Sequence, residues 1–113
     1  KEISQKLRIV SKLCKELKID KKEFFGGSMT ISSLGGIGGT FFTPIINSPE
    51  LSILGVGKSY DKVVKKDGQI ITRKILPISL SYDHRFIDGA EGARFCVHLA
   101  HSLGKDFAFK LAV

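Results

Sequence analysis

The stretch that decides the fold is Ser81-Tyr82-Asp83-His84-Arg85-Phe86-Ile87-Asp88-Gly89. Apolar and polar residues alternate before it over residues 78–82, which predicts a half-buried strand. A helical pattern follows over residues 89–103, and Asp88 and Glu91 have the spacing of a capping box at its start. The stretch therefore predicts a strand end, a tight connector and a helix start. Side chains on such a connector are held by rigid elements on both sides, which suits a functional residue.

His84 is the side chain of this connector best suited to chemistry. Neutral imidazole has an ordinary pKa of about 6.5, so it can accept a proton at physiological pH. A histidine between Asp83 and Arg85 is also common as a structural residue, and the residues alone leave both interpretations open. Arg85 has no proton to give, and we expect it to hold the connector through an ion pair. His98 and His101 are expected to be surface or packing residues.

The rest of the chain predicts a mixed α/β fold. Apolar residues at three- and four-residue steps predict an amphipathic helix over residues 2–18. Strand patterns occupy residues 28–32, 51–56, 60–64 and 70–82. Lys66-Asp67-Gly68 predicts a hairpin turn. With a helix at each end and strands between, the fold class is predicted as α+β with a mixed sheet.

Residues 33–49 are rich in glycine, threonine and proline, which predicts a long loop. The loop carries Phe41, Phe42, Ile45 and Ile46, which is more apolar surface than a solvated loop usually has. We therefore expect it to pack against protein or to line a channel. Its glycines match neither the dinucleotide pattern nor the Walker pattern for phosphate binding. They are expected to permit close backbone approach.

Length and charge limit the functions open to the chain. Its 113 residues make one domain at most. The net charge is +7, and the basic surplus lies in residues 1–23 and 58–74. Residues 24–57 contain a single charged residue, Glu50. Such a surplus attracts polyanions or simply keeps a surface soluble. No apolar run approaches the roughly 20 residues of a membrane span. Cys14 and Cys96 lack metal-ligand spacing, so no metal site is predicted.

The connector also resembles a family signature. Asp83-His84-Arg85-Phe86-Ile87-Asp88-Gly89 is similar to the D-H-R-x-x-D-G signature of the dihydrolipoyl acyltransferases, which form the core of 2-oxo acid dehydrogenase complexes. Other stretches resemble the same family in the same order: Phe25-Gly26-Gly27 with Thr30-Ile31-Ser32-Ser33-Leu34-Gly35, Ile37-Gly38-Gly39-Thr40, Thr43-Pro44-Ile45-Ile46-Asn47, and Pro49-Glu50 with Ile53-Leu54-Gly55-Val56. The ordered matches cover nearly the whole chain, which argues against chance. They are most similar to the acetyl-transferring members of pyruvate dehydrogenase.

The resemblance implies a fold like that of chloramphenicol acetyltransferase, a relative of the family. The family's catalytic domain is longer than this chain, so residues 1–113 are expected to be the C-terminal part, about half, of a single acyltransferase catalytic domain. The chain begins at Lys1 inside a helical pattern. We therefore expect it to be a piece of a longer protein.

The resemblance implies the transfer of an acetyl group, or another acyl group, between S-acyl-dihydrolipoamide and coenzyme A. His84 would act as the general base toward the thiol of coenzyme A. Ser32 would donate a hydrogen bond to the oxyanion of the tetrahedral intermediate, with Ser33 as the adjacent alternative. The lipoyl group would be carried on a separate domain outside this chain, and coenzyme A would be a substrate.

Four further residues are assigned by position in the family motifs. Asp88 belongs to the active-site motif, although a role as the helix N-cap accounts for it equally well. Phe42, Ile46 and Asn47 occupy positions where the family lines its substrate channel.

The resemblance also implies an assembly. A homotrimer would form the catalytic pocket between subunits, so that His84 and Ser32 of one chain need not meet, and trimers would build a larger core. The 2-oxo acid dehydrogenase and dihydrolipoamide dehydrogenase components would be its partners, and neither nucleic acid nor membrane is expected. The expected location is the bacterial cytoplasm, or the mitochondrial matrix in a eukaryote.

Two other functions stay open. The chain could be an inactive fragment that retains assembly surface, in which case it would associate without turnover. Alternatively, it could be a basic polyanion-binding module, whose affinity for nucleic acid would fall steeply with salt. The chain has no aromatic-rich basic strand and no recognition helix, so the module ranks last.

Overall fold

The computed structural model describes residues 1–104. Its elements, in chain order, are helix α1 (Glu2–Lys15), a 3₁₀ turn (Lys21–Phe24), strands β1 (Thr30–Ser33), β2 (Ser52–Val56), β3 (Tyr60–Lys66), β4 (Gln69–Ile75) and β5 (Ile78–Tyr82), and helix α2 (Gly89–Ser102). This order confirms the mixed α/β class. The sequence also predicts that the apolar residues 107–111 pack down, but they lie outside the described range.

Among the predicted boundaries that differ from the structure, three have a clear physical reason. Helix α1 ends at Lys15 rather than at residue 18 because the chain turns into the left-handed region at Leu17, where φ is 54°. Strand β1 begins at Thr30, where its pairing with Ile53 begins. The stretch 70–82 is two strands rather than one, because Pro77 has no N–H and the chain leaves the hairpin there.

Strands β1, β2 and β5 form a mixed sheet in the order β1-β2-β5. Strand β1 runs parallel to β2, with Ser32 opposite Gly55. Strand β5 runs antiparallel to β2, with Ser79 opposite Gly55 and Tyr82 opposite Ser52. Side chains alternate between the two faces of a sheet, so Ser32, Gly55 and Ser79 point to one face and Tyr82 points to the other.

The two faces are covered by different parts of the chain. On one face, which we name the loop face, the ring of Phe42 lies against Gly55, and a Cβ atom at Gly55 would lie 3.0 Å from Phe42 Cζ. On the other, the helix face, α2 packs on β5 through Gly92, where a Cβ atom would lie 2.8 Å from Tyr82 Cε1. Both glycines are buried, since close approach leaves no room for a larger side chain.

The loop between β1 and β2 packs against the rest of the chain through some of its apolar residues and leaves others exposed. Pro44 is buried and Phe42 is half-buried. Phe41 and Ile45, however, are 68% and 89% exposed. Phe42 therefore packs against protein within this chain, as predicted, whereas Phe41 and Ile45 do not. The alternative, that the loop lines a channel, stays a prediction.

Strands β3 and β4 form a separate antiparallel hairpin. Asp67 and Gly68 at its tip have φ values of 51° and 77°. Positive φ at both central residues matches the twist of the flanking strands and favours an Asp-Gly pair. The predicted hairpin turn is confirmed.

The interior of the described chain is small. Among residues 1–104, Ile53 and Leu54 are the only buried hydrophobic residues, and α1 buries none of its residues. The apolar side chains of α1 face water: Ile3 is 77% exposed and Leu7 is 65% exposed. The radius of gyration is 17.0 Å, compared with about 13 Å for a compact domain of this length. The chain is therefore extended and leaves much apolar surface uncovered.

Neither helix within residues 1–104 has the length and apolar character that crossing a bilayer requires.

Candidate active site

A local ion pair holds the connector between β5 and α2. Arg85 Nη2 lies 2.7 Å from Asp83 Oδ2, and Arg85 Nε donates to Asp83 Oδ1 at 3.0 Å. The backbone N–H of Arg85 donates to the same Oδ1 atom at 3.0 Å. These hydrogen bonds, with the positive charge of Arg85, lower the pKa of Asp83 from 3.8 to about 2. Asp83 in turn raises the pKa of Arg85. The ion pair predicted for Arg85 is confirmed.

His84 follows Asp83 in this clamped connector and is exposed. Its ring centroid lies 5.6 Å from that of Tyr82, and the two rings are tilted by 40°. A Cβ atom at Gly89 would lie 4.0 Å from His84 Nε2. The imidazole therefore lies beside the first residue of α2 with its ring open to solvent, where an incoming group can reach it.

Asp88 is the N-cap of α2. Its Oδ1 atom accepts a hydrogen bond from the backbone N–H of Glu91 at 2.7 Å. Its backbone is extended, with φ −81° and ψ 165°, as an N-cap requires. The N-cap bond of the predicted capping box is confirmed, and within residues 1–104 the Glu91 side chain makes no reciprocal bond to the Asp88 N–H. The Asp88 carboxylate therefore caps α2 close to His84.

Ser32 lies on the loop face of the sheet and is half-buried. Within residues 1–104 its hydroxyl has no hydrogen-bond partner, so it can donate to another group. Ser33, the alternative, points to the helix face, and its Oγ accepts from the backbone N–H of Gly35 at 3.5 Å. The alternation of β1 thus gives the two serines different surroundings.

Ser32 and His84 of one chain are far apart. Ser32 shares a row with Ser79, which is three residues from Tyr82 along β5. Three residues of strand span about 10 Å and two strand spacings span about 10 Å, so Ser32 and Tyr82 are about 14 Å apart. His84 lies beyond Tyr82 at the helix face, opposite to the loop face. A single chain therefore does not bring the two predicted catalytic side chains together.

The three predicted channel residues lie in different parts of the loop. Phe42 packs at Gly55, in the row of Ser32. Ile46 is half-buried and lines a cavity with residues of the connector, Asp83 and Arg85 among them. Asn47 is exposed. The loop therefore runs from the surroundings of Ser32 to those of His84.

One residue of this region was not assigned a role from the sequence. Glu50 is half-buried, and its Oε2 atom accepts a hydrogen bond from the Thr30 hydroxyl at 2.5 Å. The signal available in the sequence was its isolation, since it is the single charged residue in the stretch 24–57. Isolation alone did not identify its partner, which is 20 residues away.

Metal-ligating residues do not cluster in the part of the chain that the structure describes. No group of three or more His, Cys, Asp or Glu side chains could hold a metal ion there. Cys14 and Cys96 are free thiols.

Comparison with known proteins assigns the family. The model of the 2-oxoacid dehydrogenases acyltransferase (catalytic domain) family matches residues 1–108. The dihydrolipoyllysine-residue acetyltransferase component of pyruvate dehydrogenase complex from Cupriavidus necator is 52% identical over 102 residues, which are 90% of this chain and 18% of that protein. The Buchnera aphidicola protein of the same name is 46% identical over 103 residues, 91% of this chain and 26% of that protein. The chain thus spans about a fifth to a quarter of these curated relatives.

Two solved structures are similar throughout. Dihydrolipoamide acetyltransferase from Azotobacter vinelandii has a TM-score of 0.86 and 44% identity, covering 95% of this chain and 44% of that one. It was solved in work on the role of a serine, a histidine and an asparagine in its catalytic mechanism. The cubic core of the pyruvate dehydrogenase multienzyme complex has a TM-score of 0.86 and 42% identity, with the same coverage. The resemblance is confirmed, and the fold is that of these chloramphenicol-acetyltransferase-like cores. This chain belongs to the family of 2-oxo acid dehydrogenase acyltransferase catalytic domains.

Proposed function

We propose that this chain is the C-terminal part of a single catalytic domain that moves an acetyl group between S-acetyl-dihydrolipoamide and coenzyme A. The support is its family, together with two curated relatives whose names state acetyl transfer to a dihydrolipoyllysine residue in the pyruvate dehydrogenase complex. The lipoyl group arrives on another domain, and coenzyme A is the second substrate. The 2-oxo acid dehydrogenase and dihydrolipoamide dehydrogenase components are the proposed partners of the assembly.

In the proposed reaction His84 acts as the general base. A free thiol has an ordinary pKa near 8.5, so the thiol of coenzyme A is mostly protonated at neutral pH, while the thiolate is the nucleophile. His84 takes the thiol proton as the sulfur attacks the thioester carbonyl. When the bond to the dihydrolipoyl sulfur breaks, His84 returns the proton to that sulfur. Proton transfer of this kind contributes about 10²–10⁴ in rate.

Ser32 is the proposed donor to the oxyanion that forms on the attacked carbonyl. Its hydroxyl is half-buried, and one such donor is worth about 10²–10³ in kcat. In the Azotobacter protein the serine precedes the histidine by 52 positions and the asparagine follows it by four. Here Ser32 precedes His84 by 52 positions and Asp88 follows it by four. The equal spacing supports both assignments and puts a carboxylate where that relative has an amide.

The separation of Ser32 and His84 is the observation that carries the proposal of a shared site. The two side chains lie at opposite faces of one sheet, so one chain cannot aim both at one carbonyl. We therefore propose that His84 of one copy and Ser32 of the next form each pocket. A twofold dimer or a closed ring of three or more copies can satisfy this pairing. We propose the trimer because the family resemblance implies it.

A complementation experiment tests this arrangement. The complete protein carrying these residues is made as His84→Ala and as Ser32→Ala, and each variant is expected to lose at least about 10²-fold in acetyl-CoA formation. Co-refolding equal amounts should restore about one quarter of the wild-type rate, because one site in four then receives an intact His84 and an intact Ser32 from different chains.

The control is His98→Ala, at an exposed histidine, which should retain the wild-type rate. Ser33→Ala tests the alternative donor: it should also retain the rate, and a loss there instead of at Ser32 would assign the oxyanion to Ser33. No recovery on mixing would mean that both groups act within one chain. A His84→Ala variant with a kcat within threefold of the wild type would remove the general-base assignment.

A second candidate function is an assembly module without turnover, and the exposed apolar face of α1 favours it. Ile3 and Leu7 on this face are 77% and 65% exposed, which is typical of surfaces that contact other chains. This function predicts a discrete oligomer of the 113-residue chain in sedimentation velocity, together with no acetyl-CoA formation by the complete protein.

A further inference from the structure

The carboxylate of Glu50 is an isolated charge in an uncharged segment. It is half-buried, and although it lines a cavity with Arg85, no cation among residues 1–104 lies within ion-pair distance of it. Its Oε2 atom instead accepts a hydrogen bond from the Thr30 hydroxyl at 2.5 Å. Its Oε1 atom lies where Gly27 has no side chain, 2.9 Å from the position of a Cβ atom there. Hydrogen bonds to an ionised acceptor are about twice as strong as neutral ones, so this contact fixes Thr30 firmly.

Fixing Thr30 also fixes the direction of Ser32. The two residues are two positions apart on β1, so their side chains point to the same loop face. Strand β1 has four residues and pairs with β2 alone, along one edge. A short edge strand can twist about its single line of backbone hydrogen bonds. A side-chain anchor at Thr30 opposes that twist and holds the hydroxyl of Ser32 at one angle.

The residue after Glu50 makes the second connection. The carbonyl oxygen of Leu51 accepts a hydrogen bond from the backbone N–H of Asp83 at 2.8 Å. Asp83 carries the ion pair with Arg85 and immediately precedes His84. Glu50 thus contacts β1 through its side chain. The adjacent Leu51 contacts the connector that bears His84 through its backbone.

We infer that Glu50 is a positioning residue, whose bond to Thr30 holds the strand that bears Ser32 in a fixed relation to the connector that bears His84. This inference rests on the proposed function, because it assigns Ser32 a chemical task. Glu50 touches neither substrate nor reacting atom in this role. Its removal should therefore lower kcat and leave the binding of both substrates nearly unchanged.

The test compares variants that break the bond with variants that keep it. In the complete protein, Glu50→Ala and Thr30→Val should each lower kcat about tenfold, with KM for coenzyme A and for acetyl-dihydrolipoamide within about twofold. The double variant should lose no more than either single variant, because one bond is removed in all three. Glu50→Gln and Thr30→Ser keep an acceptor and a donor and should stay within about threefold of the wild type. Glu23→Ala, at an exposed glutamate, is the matched control.

A measurement without turnover separates this inference from the proposed function. In proton–nitrogen NMR spectra, Thr30→Val should move the amide resonances of Ser32 and its strand neighbours and leave that of Arg85 in place. Glu50→Ala should move the resonances of both Ser32 and Asp83. If Glu50→Ala does not fold, the comparison of Thr30→Val with Thr30→Ser decides the test.

Two results would overturn the inference. One is an active wild type whose Glu50→Ala and Thr30→Val variants both keep kcat within twofold. The other is an unmoved Ser32 resonance in both variants. An inactive wild type with the expected NMR shifts would contradict the proposed function and leave the link between Glu50 and Thr30 standing.

Discussion

Replacing Asp88 by alanine should destabilise the helix that follows His84. The change removes the acceptor of the 2.7 Å hydrogen bond from the Glu91 N–H. Loss of an N-cap costs about 1 kcal/mol, and loss of a negative charge at a helix N-terminus costs a further 0.3–1 kcal/mol, approximately. Together they make about 1–2 kcal/mol, which is about a 5- to 30-fold change in the folding equilibrium. The midpoint of thermal unfolding should fall by at least about 4 °C.

Urea unfolding followed by circular dichroism at the helix band measures this change, and two other substitutions separate the cap from the charge. Asp88→Ser keeps a capping oxygen without the charge, so it should lose only the helix-dipole contribution. Asp88→Asn also caps. If the proposed function holds, it should keep most of the acyl transfer, because the similar Azotobacter acetyltransferase has an asparagine four residues after its histidine. Equal unfolding midpoints for Asp88→Ala and the wild type would refute the capping argument. If Asp88→Asn were stable but inactive, the carboxylate itself would take part in the chemistry.

The other predictions concern packing and acid titration. Gly57→Ala should destabilise the protein by about 1–3 kcal/mol, because a Cβ atom there would overlap the carbonyl oxygen of Thr40. The control is Gly36→Ala, because a Cβ atom at Gly36 would meet open space. Equal midpoints of urea unfolding for the two variants would contradict the prediction. Arg85→Met should return the Asp83 pKa from about 2 towards 3.8, as followed by carboxyl carbon NMR. The low pKa of Asp83 stabilises the folded state above about pH 4, and this contribution is lost between about pH 4 and pH 2; a titration of Asp83 that does not move in the variant would contradict the assigned cause.

Features fixed by neighbouring residues could be predicted from the sequence. The cap formed by Asp88 needs only Glu91, and the hairpin turn needs only Asp67 and Gly68. The ion pair between Asp83 and Arg85 likewise lies within three residues. Each of these depends on local geometry that does not change with the rest of the fold, so the pattern was sufficient.

Features that depend on pairing between distant segments could not be predicted. The start of β1 is set by the pairing of Thr30 with Ile53, and the sequence of β1 contains no sign of that partner. The bond between Thr30 and Glu50 also joins residues 20 positions apart. Family resemblance assigned a role to Ser32, but its direction followed only from the register of β1 on β2. The sequence therefore predicted contacts between neighbouring residues better than the directions of side chains on paired strands.

The opposite directions of Ser32 and His84 have a consequence for chains that have just been synthesised. Thioesters are energy-rich, and a complete pocket open to water could hydrolyse them without benefit. In the proposed arrangement an unassembled chain holds two half-sites and no whole one. Catalytic activity would then appear only on assembly, and unassembled monomers would not hydrolyse acetyl thioesters.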